Sequence, residues 1–295
     1  MQKLKVDFRN FWPQFDKASN IVTASLRNNY EVSIDSDTPD VIFYQGQCHS
    51  KSNSVDVSWF VESPTRIGLP NYDTCDASIG SCHYSHARHT RVPFWATQIN
   101  WDEDKEDYNL DRGPTLLLDK SKLSTRRYEP RDRNISAISA TPLGKRLSYY
   151  PDLSSKTHVD HAGAFLKNNN ELKERVGNSD YREKIEFISK YKMNLCFEND
   201  DYPGYVCEKI LHSFYANTIP IYWGPLDAVD DFNQDAFIHV SLYETDEESM
   251  EEILDILSDE SIIKSMSEEP VFNDDVFPEY ATPEFIGERL KEVIG

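Results

Sequence analysis

Two α/β halves, each built on a parallel sheet, are the fold class this 295-residue chain predicts, and three observations carry it. Residues 191–224, YKMNLCFENDDYPGYVCEKILHSFYANTIPIYWG, read as one strand, turn, helix, strand unit, the repeating piece of open parallel sheets. The N-terminal third carries several short β-branched and aromatic runs with a helical stretch among them. Between these regions, 102–133 is charged and irregular apart from the apolar 115–118, so the domain boundary is expected inside it.

Residues 1–125 form the expected N-terminal domain, with strands at 4–8, 30–34, 40–44, 55–61 and 92–95 and a helix over 16–28. Residues 126–295 form the expected second domain. NISAISA at 134–140 alternates as a strand, a helix lies near 180–191, and 237–240 is a further strand. Amphipathic helices follow at 247–257 and 282–294, the last of which has the apolar face to pack back on the N-terminal domain. There is no internal repeat and no low-complexity tract.

Within the 191–224 unit, Met193 to Phe197 is a short apolar run suited to a buried strand. It ends in Glu198 and Asn199, ahead of the breakers Asp200, Asp201, Tyr202, Pro203 and Gly204. Val206, Ile210 and Phe214 then recur every four residues, placing one apolar stripe on the sheet, until Asn217, which tolerates left-handed dihedrals, ends the helix. A first helical turn containing Tyr205, Glu208 and Lys209 is therefore expected at the carboxyl end of the sheet, where open α/β folds bind ligands. Lys209 faces the positive end of the helix dipole, a mismatch of about 0.3–1 kcal/mol that a diphosphate would relieve. The other reading of Glu208 and Lys209 is a solvated helix start.

Thr141-Pro142-Leu143-Gly144-Lys145-Arg146 breaks the strand before it and can open a helix. Basic side chains just past a strand end suit phosphate, with Arg146 the better bidentate partner; plain surface charge is the alternative. The run 55–61, VDVSWFV, ends at Glu62-Ser63-Pro64, which puts Glu62 at a strand terminus facing a loop. A carboxylate beside Trp59 and Phe60 would be poorly hydrated and suited to take a proton near neutral pH, or it is a surface glutamate. Cys82-His83-x-x-His86-x-x-His89 has histidines in number but not in any standard zinc spacing, and a polar loop is the better reading.

Composition narrows the classes. Lys and Arg number 31 against 51 Asp and Glu, a formal charge of -20, which repels nucleic acid and anionic membranes. A nucleotide pocket must then be a local basic exception. No apolar run reaches a membrane span, and MQKLKVDF leads into a strand without a signal-peptide pattern. Cys48, Cys75, Cys82, Cys196 and Cys207 form an odd set without paired spacing, which fits a reducing compartment, and a cytoplasmic location is expected.

FEN, five residues, Tyr-Val-x-Glu-Lys-Ile and then IPIYWG resembles the donor-binding signature of the α-1,3/4-fucosyltransferases, glycosyltransferase family 10. Upstream, Trp59-x-x-Glu62-Ser63-Pro64 is similar to the W-x-x-E-S-P of animal members. Pro70-Asn71-Tyr72-Asp73 and Arg88-His89-Thr90-Arg91-Val92-Pro93 continue the likeness. Residues 65–69 look like a small insertion, and Cys207 stands where threonine is more usual.

That resemblance implies a GT-B arrangement, two facing Rossmann-like domains with a cleft between them. It implies an inverting enzyme that moves L-fucose from GDP-β-L-fucose to a hydroxyl of a glycan acceptor, α-1,3 or α-1,4 to a GlcNAc- or Glc-type residue. Arg146 and Lys209 would hold the diphosphate, Glu208 the ribose, Asn199 and Tyr205 would line the donor pocket, and Glu62 would be the base. No cofactor is implied beyond the donor substrate, no Asp-x-Asp element in a convincing context calls for an obligatory metal, and no protein partner is inferable. The alternatives are a GT-B transferase using another purine-nucleotide sugar and a catalytically inactive glycan-binding relative. Charges facing an open cleft contribute little to folding, so removing Lys209 or Arg146 is expected to weaken nucleotide binding and leave unliganded stability nearly unchanged.

Overall fold

The computed structural model describes residues 1–13, 15–101, 117–172 and 181–295. The expected boundary stretch 102–133 therefore falls outside the described residues over 102–116, which takes in the first two positions of the apolar 115–118, as does Asp180 at the start of an expected helix. The chain divides into two compact units, one made of Met1–Leu117, Tyr202–Val206 and Phe277–Gly295, the other of Leu118–Asp201 and Cys207–Val276.

The first unit holds a sheet of β1 (Gln2–Arg9), β2 (Tyr30–Ile34), β3 (Val41–Gln45), β4 (Val55–Phe60), β5 (Ala77–Gly80) and β6 (His89–Arg91). Its order is β2-β1-β3-β4-β5-β6, every pair parallel. Phe8, Phe43 and Trp59 from β1, β3 and β4 join Phe11 and Phe15 in an aromatic cluster, with Phe8 stacked on Phe43 at 5.3 Å between ring centroids. Helix α1 (Ile21–Arg27) starts five residues later than the sequence suggests. Asp16 accepts from the amides of Ala18 and Ser19, so its side chain holds a turn in place of a first helical turn, and Asn20 becomes the N-cap. The C-terminal helix, Pro283–Ile294, packs on α1 so closely that a Cβ on Gly287 would lie 2.4 Å from the Ser25 carbonyl oxygen.

One further local expectation fails in this unit, and one strand goes unforeseen. The strand expected at 92–95 lies instead at β6 and stops before Pro93, after which Phe94–Gln98 is a 3₁₀ turn. Strand β5 has only four residues, Ala77-Ser78-Ile79-Gly80, too short and too small-chained to stand out in sequence. After β4 comes a single helical turn, α2 (Pro64–Ile67), capped by Ser63 with Pro64 at its first position.

The second unit holds β7 (Arg133–Ala137), β8 (Val159–His161), β9 (Tyr191–Leu195), β10 (Ile219–Tyr222) and β11 (Ile238–His239) in the order β11-β10-β9-β7-β8, again all parallel. Its helices are α3 (Lys120–Leu123), α4 (Arg146–Lys156), α5 (Tyr181–Ile188), α6 (Glu208–Tyr215), α7 (Ala228–Asp231), α8 (Asp246–Ser258) and α9 (Glu260–Glu268). Ile135, Met193, Ile219 and Ile221 from the sheet meet Tyr150, Leu153, Ile253 and Ile263 from the helices in one buried core. Asn194 ties β7, β9 and α6 together inside that core, accepting from Ser136 at 2.8 Å and donating to Ser213 at 2.9 Å. Helix α8 opens on a capping box between Thr245 and Glu248.

Val206, Ile210 and Phe214 are buried, as their spacing predicts. The helix itself begins at Glu208, and not at Tyr205. Gly204, at φ +78°, redirects the chain, the amides of Tyr205 and Val206 close turns onto Tyr202 and Gly204, and Cys207 then serves as an extended N-cap. The helix ends where Asn217 takes φ +57°.

Candidate active site

Beyond β9 the chain stays extended, with the amide of Cys196 on Ile221 and that of Glu198 on Trp223. Glu198 is thereby held at the carboxyl end of the sheet with its side chain fully buried. One carboxylate oxygen accepts from the Cys207 amide at 2.7 Å and the other from Lys209 Nζ at 2.6 Å. Cys207 provides no side-chain cap of its own, so Glu198 caps α6 from outside the helix. The anion that Lys209 calls for at this helix start is thus supplied by the protein. Burial pushes the Glu198 carboxyl upward, with Lys209 and the Cys207 amide opposing. Burial pulls Lys209 down, but Glu198, Cys207 and Glu208 outweigh it and the ammonium is raised well above its ordinary value. The last glycine of the IPIYWG segment is explained here: a Cβ on Gly224 would lie 2.4 Å from the Tyr222 hydroxyl and 2.9 Å from Glu198 Cγ.

Glu208, on the next helical position, lies 3.8 Å from Lys184 Nζ, which α5 brings to α6 and which reaches His212 Nδ1 at 3.1 Å. Burial raises the Glu208 carboxyl, but the Lys209 and Lys184 ammoniums more than offset it and hold it down to about 2. Lys184 is pulled down by burial. His212 is driven well below its usual range by burial and then by Lys184, so it stays neutral. Sequence reasoning missed Lys184 and Glu198 as partners. Lys184 meets Glu208 only through the packing of α5 on α6, which no local pattern announces. Glu198 was readable only as the polar end of an apolar strand.

Arg146 is the first residue of α4, following the Gly144 turn at φ +55° that packs against the Trp223 ring. Its guanidinium is buried and donates from Nη2 to the Phe197 carbonyl and, at 2.9 Å, to Asn199 Oδ1. Arg146, Asn199, Glu208 and Lys209 therefore share the carboxyl end of one sheet. Arg146 and Asn199 touch directly, and Glu208 and Lys209 are consecutive.

Glu62 and Tyr205 belong to the first unit. Glu62 follows β4, and its carboxylate is 41% exposed rather than sunk beside Trp59 and Phe60, because those two side chains turn into the core while Glu62 opens onto the α2 turn. The Tyr205 hydroxyl donates to Glu62 Oε2 at 3.1 Å, and Arg66 Nη1 stands 3.7 Å from the same oxygen. The histidine run is spread apart in function. His89 is buried, with Nδ1 on Ser78 and Nε2 on the Cys82 carbonyl, whereas His86 stacks on Tyr72 at 3.6 Å. Among the described residues no group of three His, Cys, Asp or Glu is placed to hold a metal ion, and no helix is long and apolar enough to cross a membrane. All five cysteines are buried thiols outside any disulfide.

Two all-parallel α/β units, one with Arg146 and Lys209 at the carboxyl end of its sheet, define a protein of the GT-B class. Residues 133–265 match the family model for the C-terminal part of glycosyltransferase family 10 (fucosyltransferase), and residues 6–98 match that of the α-(1,3)-fucosyltransferase FucT N-terminal domain. The chain belongs to glycosyltransferase family 10. It is 28% identical over 200 residues to the α-(1,3)-fucosyltransferase FucT of Helicobacter pylori. That match takes in 62% of this chain and 41% of the relative, so the chain spans about two fifths of the length of that protein. The fold is similar to that of an α1,3-fucosyltransferase crystallised with GDP-fucose, at a TM-score of 0.73 and 23% identity over 99% of this chain and 90% of the other. The GDP complex matches at 0.72, with the same coverage and identity.

Proposed function

We propose that the protein transfers L-fucose from GDP-β-L-fucose to a hydroxyl of a glycan acceptor, with inversion, forming an α-1,3 or α-1,4 link to a GlcNAc- or Glc-type residue. The observation that supports this most is the cluster of Arg146, Asn199, Glu208 and Lys209 at one sheet end, lying wholly within the stretch that matches the family's C-terminal model. In so acidic a chain, this is where an anionic nucleotide finds cations.

Arg146 and Lys209 address the diphosphate, Glu208, kept ionised by its lysine neighbours, accepts the ribose hydroxyls, and Asn199 and Tyr205 line the donor pocket. Glu62 takes the proton of the acceptor hydroxyl. As the acceptor oxygen bonds to the anomeric carbon, the bond from that carbon to the phosphate oxygen breaks, and the β-linked sugar becomes α-linked. GDP leaves with the electron pair, its charge met by the guanidinium and the ammonium, which is the service a divalent ion performs in other transferases. No divalent ion is needed in this scheme, and transfer is expected to survive EDTA.

The test is paired. GDP should raise the melting temperature clearly more than UDP at equal concentration, by mass action on a purine-selective site. Glu62→Gln should keep GDP binding and lose transfer by about 10²–10⁴. Equal shifts with the two nucleotides would overturn the donor assignment, and a Glu62→Gln enzyme of normal rate would remove the base.

A further inference from the structure

The Glu62 carboxylate is held from one side only. Both of its contacts fall on Oε2, the Tyr205 hydroxyl at 3.1 Å and Arg66 at 3.7 Å, while Oε1 has no hydrogen-bonding partner among the described residues. Arg66 is half-exposed and lies beyond hydrogen-bonding distance, so solvent screens it and Tyr205 supplies the directional contact. Tyr205 itself is buried, 1% exposed, on a short loop whose position is fixed by several bonds. Arg91 donates to the Gly204 carbonyl from Nε at 3.2 Å and Nη2 at 3.0 Å, and its Nε also reaches the Ser81 carbonyl at 3.3 Å. The amide of His83 donates to the Pro203 carbonyl at 3.0 Å. A Cβ on Gly204 would lie 2.7 Å from the His83 ring, so the loop sits flush on the segment that holds it.

We infer that Tyr205 is a positioning residue for the base, clamping Glu62 Oε2 so that Oε1 is the oxygen offered to the acceptor hydroxyl, with Arg91 holding the Tyr202–Val206 loop in place. The inference rests on the proposed role of Glu62 as base. It gives Tyr205 a duty that lining the donor pocket does not include. A freely rotating carboxylate spends part of its time with its lone pairs misaimed, and a hydroxyl bonded to one oxygen removes that freedom at the cost of one phenol proton shared. Arg91 acts two bonds further back. Its guanidinium spans two carbonyls, Ser81 and Gly204, a fork that lysine cannot reproduce.

The experiment is a double-mutant cycle on transfer kinetics with GDP-fucose and a working acceptor, using Tyr205→Phe, Glu62→Gln and both together. Phenylalanine keeps the buried ring and deletes the hydroxyl, so folding is preserved. Tyr205→Phe is expected to lower kcat by about 10- to 100-fold, the worth of one hydrogen bond to a charged group, while KM for GDP-fucose and GDP affinity change far less, because the ring that lines the donor pocket is kept. In the Glu62→Gln background the same change should have almost no further effect. Arg91→Lys should give a smaller loss of kcat that also vanishes in that background. A loss expressed in KM for GDP-fucose, or one that multiplies with Glu62→Gln, would make Tyr205 a donor contact only and overturn the inference. Should Glu62→Gln itself transfer normally, the base assignment fails, a result distinguishable because it appears without any change at Tyr205.

Discussion

Lys209 is the residue at which sequence and structure differ most in consequence. Read from the chain alone, its charge faces an open cleft and its removal is neutral for folding. In the structure it bonds at 2.6 Å to Glu198, whose side chain is fully buried and also caps α6. Lys209→Ala therefore leaves a buried carboxylate with only the Cys207 amide, and a broken pair of this kind typically costs about 3–5 kcal/mol. A urea titration of the unliganded protein should reveal that loss. Glu198→Gln combined with Lys209→Ala should recover part of it, because the uncompensated charge is gone. If Lys209→Ala unfolds at the parent's urea midpoint, the ion pair contributes nothing and the earlier expectation stands. Arg146→Ala also carries a cost, about 1–3 kcal/mol, since the buried Phe197 carbonyl and the Asn199 amide lose their donor. Nucleotide binding by either variant has to be compared well below its own melting point.

Elements declare themselves in sequence when their signals are local. The β9, α6, β10 unit was legible because an apolar run, a Pro-Gly break, a stripe at four-residue spacing and a left-handed asparagine all lie within the 191–224 stretch. Helix α8 was legible through its capping box and period. Strands β5 and β8, of four and three residues, were not, because strands that short gain their stability from the strands they pair with, β4 and β6 for β5 and β7 for β8, and carry no period of their own. The start of α6 was misread for a related reason, in that a carboxylate from the preceding strand end, and not a residue next in line, caps it. The end of α6 offers a direct check. Asn217 holds φ +57° and its side-chain amide both accepts from and donates to Arg127. Asn217→Ala should lose about 1–2 kcal/mol from the left-handed strain alone, whereas Asn217→Gly relieves the strain and forfeits only the bonds to Arg127. Unfolding midpoints should rank parent, then glycine, then alanine. A glycine variant no more stable than alanine, both having lost the Arg127 bonds, would mean that those bonds, and not the backbone strain, decide the site.

For the molecule as a whole, acid brings opposing changes. Protonation relieves the self-repulsion of a chain carrying -20, and the buried Glu198 carboxyl, raised by burial, also favours the folded state as pH falls. The buried histidines act the other way. Burial pulls His89 and His161 down to about 4 from the ordinary 6.5, and between those values the unfolded chain binds protons that the folded one refuses. Their contribution is therefore intact above about pH 6.5 and is lost progressively as pH falls toward 4. Glu208, held to about 2, begins to cost stability only below the ordinary carboxylate range, so the two effects occupy different windows. His161 isolates the histidine part, since it is 2% exposed, has Nε2 on Ser154 at 2.9 Å and leaves Nδ1 without a hydrogen-bond partner. Keeping that ring neutral at pH 5 while the unfolded chain binds the proton costs about 2 kcal/mol, the 1.5 or so pH units below 6.5 converted at about 1.4 kcal/mol each. His161→Gln has no proton to bind there. The quantity to measure is the change in unfolding free energy between pH 7 and pH 5, by urea titration, for parent and variant. The parent should lose about 2 kcal/mol more than the variant across that interval, whatever the shared background does. An identical change in both would mean that the imidazole charges inside the fold, and that burial at this site does not hold it neutral.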